Sequence, residues 1–136
     1  MFIELPGIAT QQAMVFEEGT KAAIAQLQAN LKAPRLPPQT KVDETQYPRT
    51  HLLRKNEGWA PPDPEIVRAY FEHFQEHFEE FNTDKKLAQL LDLSGNRRIR
   101  AFKNGEFTVP YEVWRSFLVM TGRVPQDAIK VLAFMG

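Results

Sequence analysis

Large apolar residues recur at helical spacing in the second half of the chain. They stand at positions 67, 71, 74, 78 and 81, at intervals of four, three, four and three residues. These intervals place all five side chains on one face of an α-helix. Asp63 is suited to the N-cap and Pro64 to the first helical position, where no backbone donor is needed. The pattern predicts an amphipathic helix of about 18 residues that begins at Pro64.

Shorter helices are predicted after this one. Asn82 or Thr83 would cap the first of them, the turn "LSGN" would join the first to the second, and Gly105 would end the second in the left-handed conformation. The predicted bounds are residues 84–91, 96–104, 110–122 and 125 to the C-terminus. No strand pattern of useful length occurs. We therefore expect an all-α fold, a small helical bundle with a helix-turn-helix, preceded by a helical and extended proline-rich N-terminal arm.

Prolines divide the chain, because eight of the ten lie within the first 64 residues. Residues 10–32 predict a helix, which the following prolines end because proline has no N–H to donate. Six prolines and little periodicity in residues 33–62 predict a linker or extended arm. The expected organisation is a helical segment over 1–32, a proline-rich linker over 33–62 and a helix-turn-helix domain over 63–136.

Composition narrows the function classes. The 17 basic residues equal the 17 acidic residues, so any attraction to nucleic acid must come from local segregation of charge. The absence of cysteine excludes disulfides, thiolate metal ligands and cysteine catalysis. The N-terminus lacks a signal-peptide pattern, and no apolar run reaches membrane-spanning length. We expect a soluble cytoplasmic protein that does not associate with membranes.

Charge is segregated within the second half. Residues 83–105 hold six Lys or Arg and two acids, whereas residues 65–80 hold five Glu and one Arg. Three arginines and a lysine stand within the seven residues 97–103. This pattern favours a DNA-binding surface. The alternative is a solvated or protein-binding surface, because cations near a helix C-terminus are favourable without any ligand.

The two short helices at residues 84–104 fit the arrangement that helix-turn-helix DNA binding requires. In that motif the first helix packs across the DNA backbone and the second lies in the major groove. Leu87, Ala88 and Leu91 are predicted to face the core from the first helix. Ile99 and Phe102 would anchor the inner side of the second helix, so its cationic residues would point outward.

These residues resemble the Cro and phage-repressor-like helix-turn-helix domains, over roughly residues 66–122. The family pattern is leucine-alanine, an apolar residue, a turn, isoleucine, an aromatic residue, glycine and proline. The matching positions are Leu87, Ala88, Leu91, Ile99, Phe102, Gly105 and Pro110. Two features depart from the pattern: the turn before Ile99 is one residue longer, and Asp92 stands where glycine or a small residue is common. The resemblance implies a repressor-type transcriptional regulator that binds double-stranded DNA. One domain this small offers limited contact area and specific binders usually pair two half-sites, so we expect a homodimer.

Eight residues are candidate DNA contacts. Arg97 and Arg100, three apart on one helix face, are assigned to base edges or adjacent phosphates, because an arginine fork can read guanine. Asn96 suits adenine. The remaining candidates are assigned to phosphates: Lys85, Lys86, Ser94, Arg98 and Lys103.

Other chemistry is not predicted. His73 and His77 have a spacing that can hold a metal, but the chain lacks the His-Glu-x-x-His pattern and cysteine ligands, so no metal is expected. Neither a paired acid and base nor a glycine-rich phosphate loop occurs, so we expect no cofactor and no enzymatic activity. The alternative function is a protein-interaction adaptor of phage or plasmid type that keeps the helix-turn-helix fold without binding DNA.

Overall fold

The computed structural model describes residues 7–136, whose regular secondary structure consists of helices, with no strand. This confirms the predicted all-α class. The α-helices are α1 (Ile8–Asn30), α2 (Pro64–His77), α3 (Asp84–Leu90), α4 (Asn96–Asn104) and α5 (Tyr111–Met120). Short 3₁₀ helices occupy Glu44–Gln46, Thr50–Leu52, Lys55–Glu57 and Glu79–Phe81. The first six residues of the predicted N-terminal segment lie outside the described residues.

The chain divides into two compact units. The terminal unit comprises residues 7–37 together with 128–136, and the helical unit comprises residues 38–127. In the terminal unit, the bounds of α1 differ by two residues at each end from those of the helix predicted over 10–32. None of the residues of α1 is buried. The ring of Phe134 packs on that of Phe16, with 5.3 Å between the ring centroids. This contact joins α1 to the C-terminal segment within the terminal unit.

The helix predicted from Pro125 onward is wrong, because residues 125–136 have no regular secondary structure. A short helix in a protein draws most of its stability from an apolar face that packs against a core. In this segment Ile129, Leu132 and Met135 are exposed. These exposed side chains do not form a packed face that would hold the segment as a helix.

The core of the helical unit is built from α2 to α5. Its largest fully buried side chains are Ile66, Val67, Tyr70, Phe71, Leu87, Ile99, Phe102, Val109, Trp114, Phe117 and Leu118. The Asp63 side chain accepts the N–H of Glu65, so the predicted N-cap of α2 is confirmed. The predicted 18-residue helix ends early, at His77, because Phe78 adopts an extended backbone. Phe78 and Phe81 still pack against the core.

Residues 38–62 differ from the predicted linker, since they belong to the helical unit. Gln39 and His51 are buried, and Tyr47 and Leu52 pack against the core. The Gln39 side chain accepts the N–H groups of Lys41 and Val42 and donates to Glu44. Prolines restrict the backbone of this segment, but they do not prevent its side chains from packing. The compact helical unit of the structure therefore begins at residue 38.

The turn between α3 and α4 explains why Asp92 is unusual at its position. Asp92 has φ +56°, and it is the only non-glycine residue with positive φ among residues 7–136. The N–H of Asp92 donates to the carbonyl of Gln89, and that of Leu93 to the carbonyl of Ala88. This pair of bonds is a Schellman motif, whose left-handed residue is usually glycine. Asp92 adopts this left-handed conformation although its Cβ, which glycine lacks, makes the conformation less favourable.

Candidate nucleic-acid interface

The helices α3 and α4 meet through the apolar residues that the sequence analysis assigned to the core. Leu87 and Ala88 of α3 are fully buried, and so are Ile99 and Phe102 of α4. Leu91, in the turn, is buried as well. The predicted inner side of both helices is therefore confirmed, and Ala101 of α4 is buried as well.

The three arginines of α4 are all exposed. None of them forms an ion pair or a hydrogen bond with the part of the chain that the structure describes. By helical geometry Arg97 and Arg100 share the face opposite Ile99 and Phe102. Arg98 lies at the edge of this face, and its guanidinium is 5.7 Å from the centre of the Phe102 ring. The structure thus brings Arg97 and Arg100 together on one exposed surface.

The start of α4 adds an electrostatic feature to this surface. Gly95 is the N-cap residue, no side chain caps the first N–H groups, and no acidic residue lies in the first turn. The positive end of the helix dipole and the uncapped N–H groups favour an anion at such a position. Ser94 is exposed directly before this end, and Asn96 in the first turn is half-buried.

Lys85 and Lys86 are exposed in the first turn of α3. The Thr83 hydroxyl accepts the N–H of Lys86 at 3.2 Å, so Thr83 and not Asn82 is the N-cap of α3. The ammonium of Lys86 donates to the side-chain oxygen of Asn82 at 3.3 Å. Lys85 forms no ion pair within residues 7–136. Both ammonium groups are positioned where a negatively charged partner could reach them.

Lys103 does not belong to the exposed basic group. Its ammonium lies 2.8 Å from Oδ1 of Asp84 and 2.9 Å from Oε1 of Gln75, and its side chain is only 16% exposed. An ammonium that already donates to two protein oxygens has little capacity left for a phosphate. The phosphate contact assigned to Lys103 is therefore replaced by a contact within the protein.

The acidic face of α2 is also less open than the sequence analysis suggested. The ammonium of Lys41 lies 3.0 Å from a carboxylate oxygen of Glu72 and 2.6 Å from one of Glu76. The hydrogen bonds to Glu76 and Glu72 raise the pKa of Lys41, although partial burial opposes this effect. The charge of residues 65–80 is partly balanced by a residue that sequence reasoning had placed in the linker.

The two histidines of α2 contact each other. The rings of His73 and His77 lie 4.4 Å apart between centroids, and Nδ1 of His77 is 2.9 Å from the carbonyl oxygen of His73. Over residues 7–136 no group of three or more potential ligands is clustered. The pair is a local contact between consecutive turns of one helix.

Sequence reasoning missed the partners of Lys103. Gln75 donates to Oδ1 of Asp84 at 3.1 Å, so the two acceptors of Lys103 are bonded to each other. By sequence alone, Asp84 is one of two acids among the six basic residues of positions 83–105. No sequence signal pairs it with Lys103, because the two residues lie on different helices and their contact depends on packing.

Comparison of the chain with protein-family models, with curated proteins and with solved structures gave no match. In residues 7–136 there is no helix whose length and apolar character suffice for crossing a membrane.

Proposed function

We propose that the helical unit is a sequence-specific DNA-binding transcriptional regulator of the repressor type. The observation that carries this proposal is the exposed pair Arg97 and Arg100 on α4, anchored from behind by the buried Ile99 and Phe102. An α-helix with its side chains is about 10–12 Å wide, which matches the roughly 12 Å width of the major groove. In this proposal α4 lies in that groove and the two arginines read base edges.

The surroundings of α4 support the same orientation. Arginine can form two parallel hydrogen bonds to guanine, and most other contacts in such complexes go to phosphate oxygens. Lys85, Lys86 and Ser94 are exposed at or just before helix starts, where phosphates are commonly held. In this proposal Arg98 contacts the DNA backbone at the edge of the groove. The resemblance to the Cro and phage-repressor-like domains points to the same use of these helices.

A homodimer is part of the proposal. The terminal unit leaves large apolar side chains in solvent, from Ile8 (75% exposed) on α1 to Leu132 (89% exposed) in the C-terminal segment. Large apolar side chains that remain exposed on a small unit are suited to an interaction with another protein chain. Regulators of this class bind two half-sites about one helical turn apart, which requires two copies. We therefore assign the apolar surface of the terminal unit to pairing with a second copy.

The decisive experiment is a selection of duplexes from random DNA by the full chain at moderate salt. We expect an enriched motif with two related half-sites, and an affinity that falls steeply as salt rises because counterions are released from the contacted phosphates. Absence of any enriched motif, together with binding that hardly depends on salt, would contradict the proposal.

The second candidate is a protein-interaction adaptor. It is favoured by the exposed apolar residues of the terminal unit, which suit a protein partner as well as a second copy. The adaptor predicts no preferred DNA sequence and a partner complex that survives replacement of Arg97 and Arg100. The same selection and the same variants therefore separate the two functions.

A further inference from the structure

Three polar side chains, one each from α2, α3 and α4, are joined by hydrogen bonds. The ammonium of Lys103 on α4 donates to Asp84 on α3 at 2.8 Å and to Gln75 on α2 at 2.9 Å. The Gln75 amide donates to the same oxygen of Asp84 at 3.1 Å. We call these three residues the interhelical cluster. The side chains of Lys103 and Asp84 are 16% and 23% exposed, so solvent screens their ion pair less than an ordinary surface pair.

The charges of the interhelical cluster are mutually stabilised. Burial by itself would raise the pKa of Asp84, but hydrogen bonds from Lys103 and Gln75 hold that pKa below its ordinary value. The charge of Arg100 lowers the pKa of Asp84 further. The carboxylate therefore remains ionised, and it lies within the electrostatic range of an arginine that the proposed function assigns to DNA.

A further hydrogen bond holds the C-terminal end of α4, where Lys103 lies. The guanidinium of Arg68 on α2 donates to the backbone carbonyl of Lys103 at 2.9 Å and to the carboxylate of Glu65 at 3.1 Å. Lys103 is thus bound through its side chain and through its backbone. Hydrogen bonds are directional, whereas the apolar contacts of Ile99 and Phe102 leave more freedom for small rotations.

We propose that Lys103, Asp84 and Gln75 are positioning residues that set the orientation of α4 and thereby the DNA sequence preference of the protein. This inference rests on the proposed function. A rotation of α4 by about 20° would move the outer atoms of its side chains by about 2 Å, given a helix radius of about 6 Å. Such a shift exceeds the tolerance of the two parallel bonds by which arginine reads guanine. Asp84 directly precedes Lys85 and Lys86, so the interhelical cluster also fixes α4 relative to the proposed phosphate contacts of α3.

The experiment compares two lysine variants of the full chain. Lys103→Met keeps a long side chain and removes the charge and donors of the interhelical cluster. Lys85→Met removes an exposed lysine that forms no ion pair in residues 7–136. Affinity is measured for the selected duplex and for a random duplex over a range of salt concentrations.

We expect Lys103→Met to reduce the ratio of the affinity for the selected duplex to that for the random duplex about tenfold, because the arginine contacts to bases would be displaced. The dependence of affinity on salt concentration should stay unchanged, because no phosphate contact is lost. Lys85→Met should weaken both affinities alike and lower the salt slope by about 0.9, the loss of one phosphate contact. If the slope of Lys103→Met falls as in Lys85→Met, Lys103 is a phosphate ligand and the inference is overturned. An unchanged affinity ratio in folded Lys103→Met overturns it as well.

A double variant separates positioning from stability. Lys103→Met alone leaves the Asp84 carboxylate partly buried without its cation, whereas adding Asp84→Asn removes that unpaired charge. We expect the double variant to recover thermal stability but not the affinity ratio. Recovery of both would show that the interhelical cluster only stabilises the fold, and would overturn the inference.

The inference can fail independently of the proposed function. If the wild-type chain selects no DNA motif, the proposed function fails, and amide hydrogen exchange over residues 96–104 then tests the interhelical cluster alone. Faster exchange in Lys103→Met than in Lys85→Met would support its role in holding α4. Equal exchange in the two variants would overturn that role.

Discussion

The indole N–H of Trp114 donates a hydrogen bond to Nδ1 of His51, with 3.1 Å between the two nitrogen atoms. Trp114 is fully buried and His51 is 4% exposed. The bond links α5 to a segment that lies 63 positions earlier in the chain. Because Nδ1 accepts this bond, it carries no proton, and the buried imidazole is neutral with its proton on Nε2.

Replacing the tryptophan tests this link. Trp114→Phe removes the donor, leaves Nδ1 of His51 unsatisfied in the core and reduces the buried apolar volume. We expect the free energy of unfolding to fall by about 2–4 kcal/mol, measured by urea denaturation. Trp59→Phe is the matched control, since its half-buried indole donates only to the carbonyl of His51, at 3.2 Å. Equal losses in the two variants would contradict the assigned role of the buried bond.

The stability of the helical unit should depend on the charge of His51. Burial lowers the pKa of His51 to about 4 from 6.5; Glu44 opposes this shift, while Arg49 and Arg123 reinforce it. Below the unfolded pKa the unfolded chain binds a proton that the folded state does not bind, so stability falls as pH decreases through this window. We expect a loss of roughly 2 kcal/mol between pH 7 and pH 5, measured by urea unfolding.

His51→Asn provides the control for this pH dependence. Its amide oxygen can accept the Trp114 indole N–H in place of Nδ1, and it does not titrate. The variant should therefore lose less stability than the wild type between pH 7 and pH 5. The same loss in both proteins would assign the pH dependence to another group.

Gly105 should tolerate alanine poorly. It has φ +83°, and an added Cβ would lie 2.9 Å from Cγ of the Pro64 ring. Gly58 has φ +96° with no neighbouring atom within 4 Å, so it shares the left-handed backbone but not the close contact. We expect Gly58→Ala to cost about 1–2 kcal/mol from backbone strain and Gly105→Ala to cost more. Similar thermal melts of the two variants would show that Pro64 moves aside freely.

Truncation should locate the boundary of the helical unit. We expect residues 38–127 to unfold cooperatively, because this fragment keeps the buried Gln39 and the His51–Trp114 bond. A fragment over residues 61–127 loses both and exposes apolar core surface, so it should melt at a lower temperature or fail to fold. Circular dichroism measures both melts. Identical melting temperatures would restore the linker interpretation of residues 38–62.

The arginines of α4 test the proposed DNA contact. Arg97→Ala and Arg100→Ala should each cost roughly 1–3 kcal/mol of binding to the selected duplex and relax its sequence preference, if the arginines read bases. Lys85→Ala should weaken binding to all duplexes alike. Arg35→Ala, an exposed arginine of the terminal unit, is the control and should leave affinity unchanged. Arg97→Ala with the affinity of the control would contradict the proposed contact.

Features that depend on neighbours along the chain could be predicted from the sequence. The bounds of α4 and its end at Gly105 follow from residues 96–105 alone. The cap of α2 at Asp63 likewise follows from the neighbouring residues 63–65. The buried faces of α3 and α4 follow from apolar spacing, because a helix turns through a constant angle per residue. The departure of Asp92 from the family pattern also coincides with a real backbone feature, its left-handed conformation.

Features that depend on distant partners were decided only by the tertiary structure. Residues 38–62 have the composition of a linker, yet His51 meets Trp114 and Lys41 meets Glu72 and Glu76 across long stretches of chain. Lys103 has the same local sequence signal as its neighbouring arginines, but packing of three helices turns it toward Asp84 and Gln75. The sequence by itself determined where α1 to α5 lie and which faces of α3 and α4 are apolar, because both depend on local backbone geometry. It did not determine the structure of residues 125–136, which depends on packing. Which polar groups remain exposed for a ligand was determined by the packing of the helices against one another.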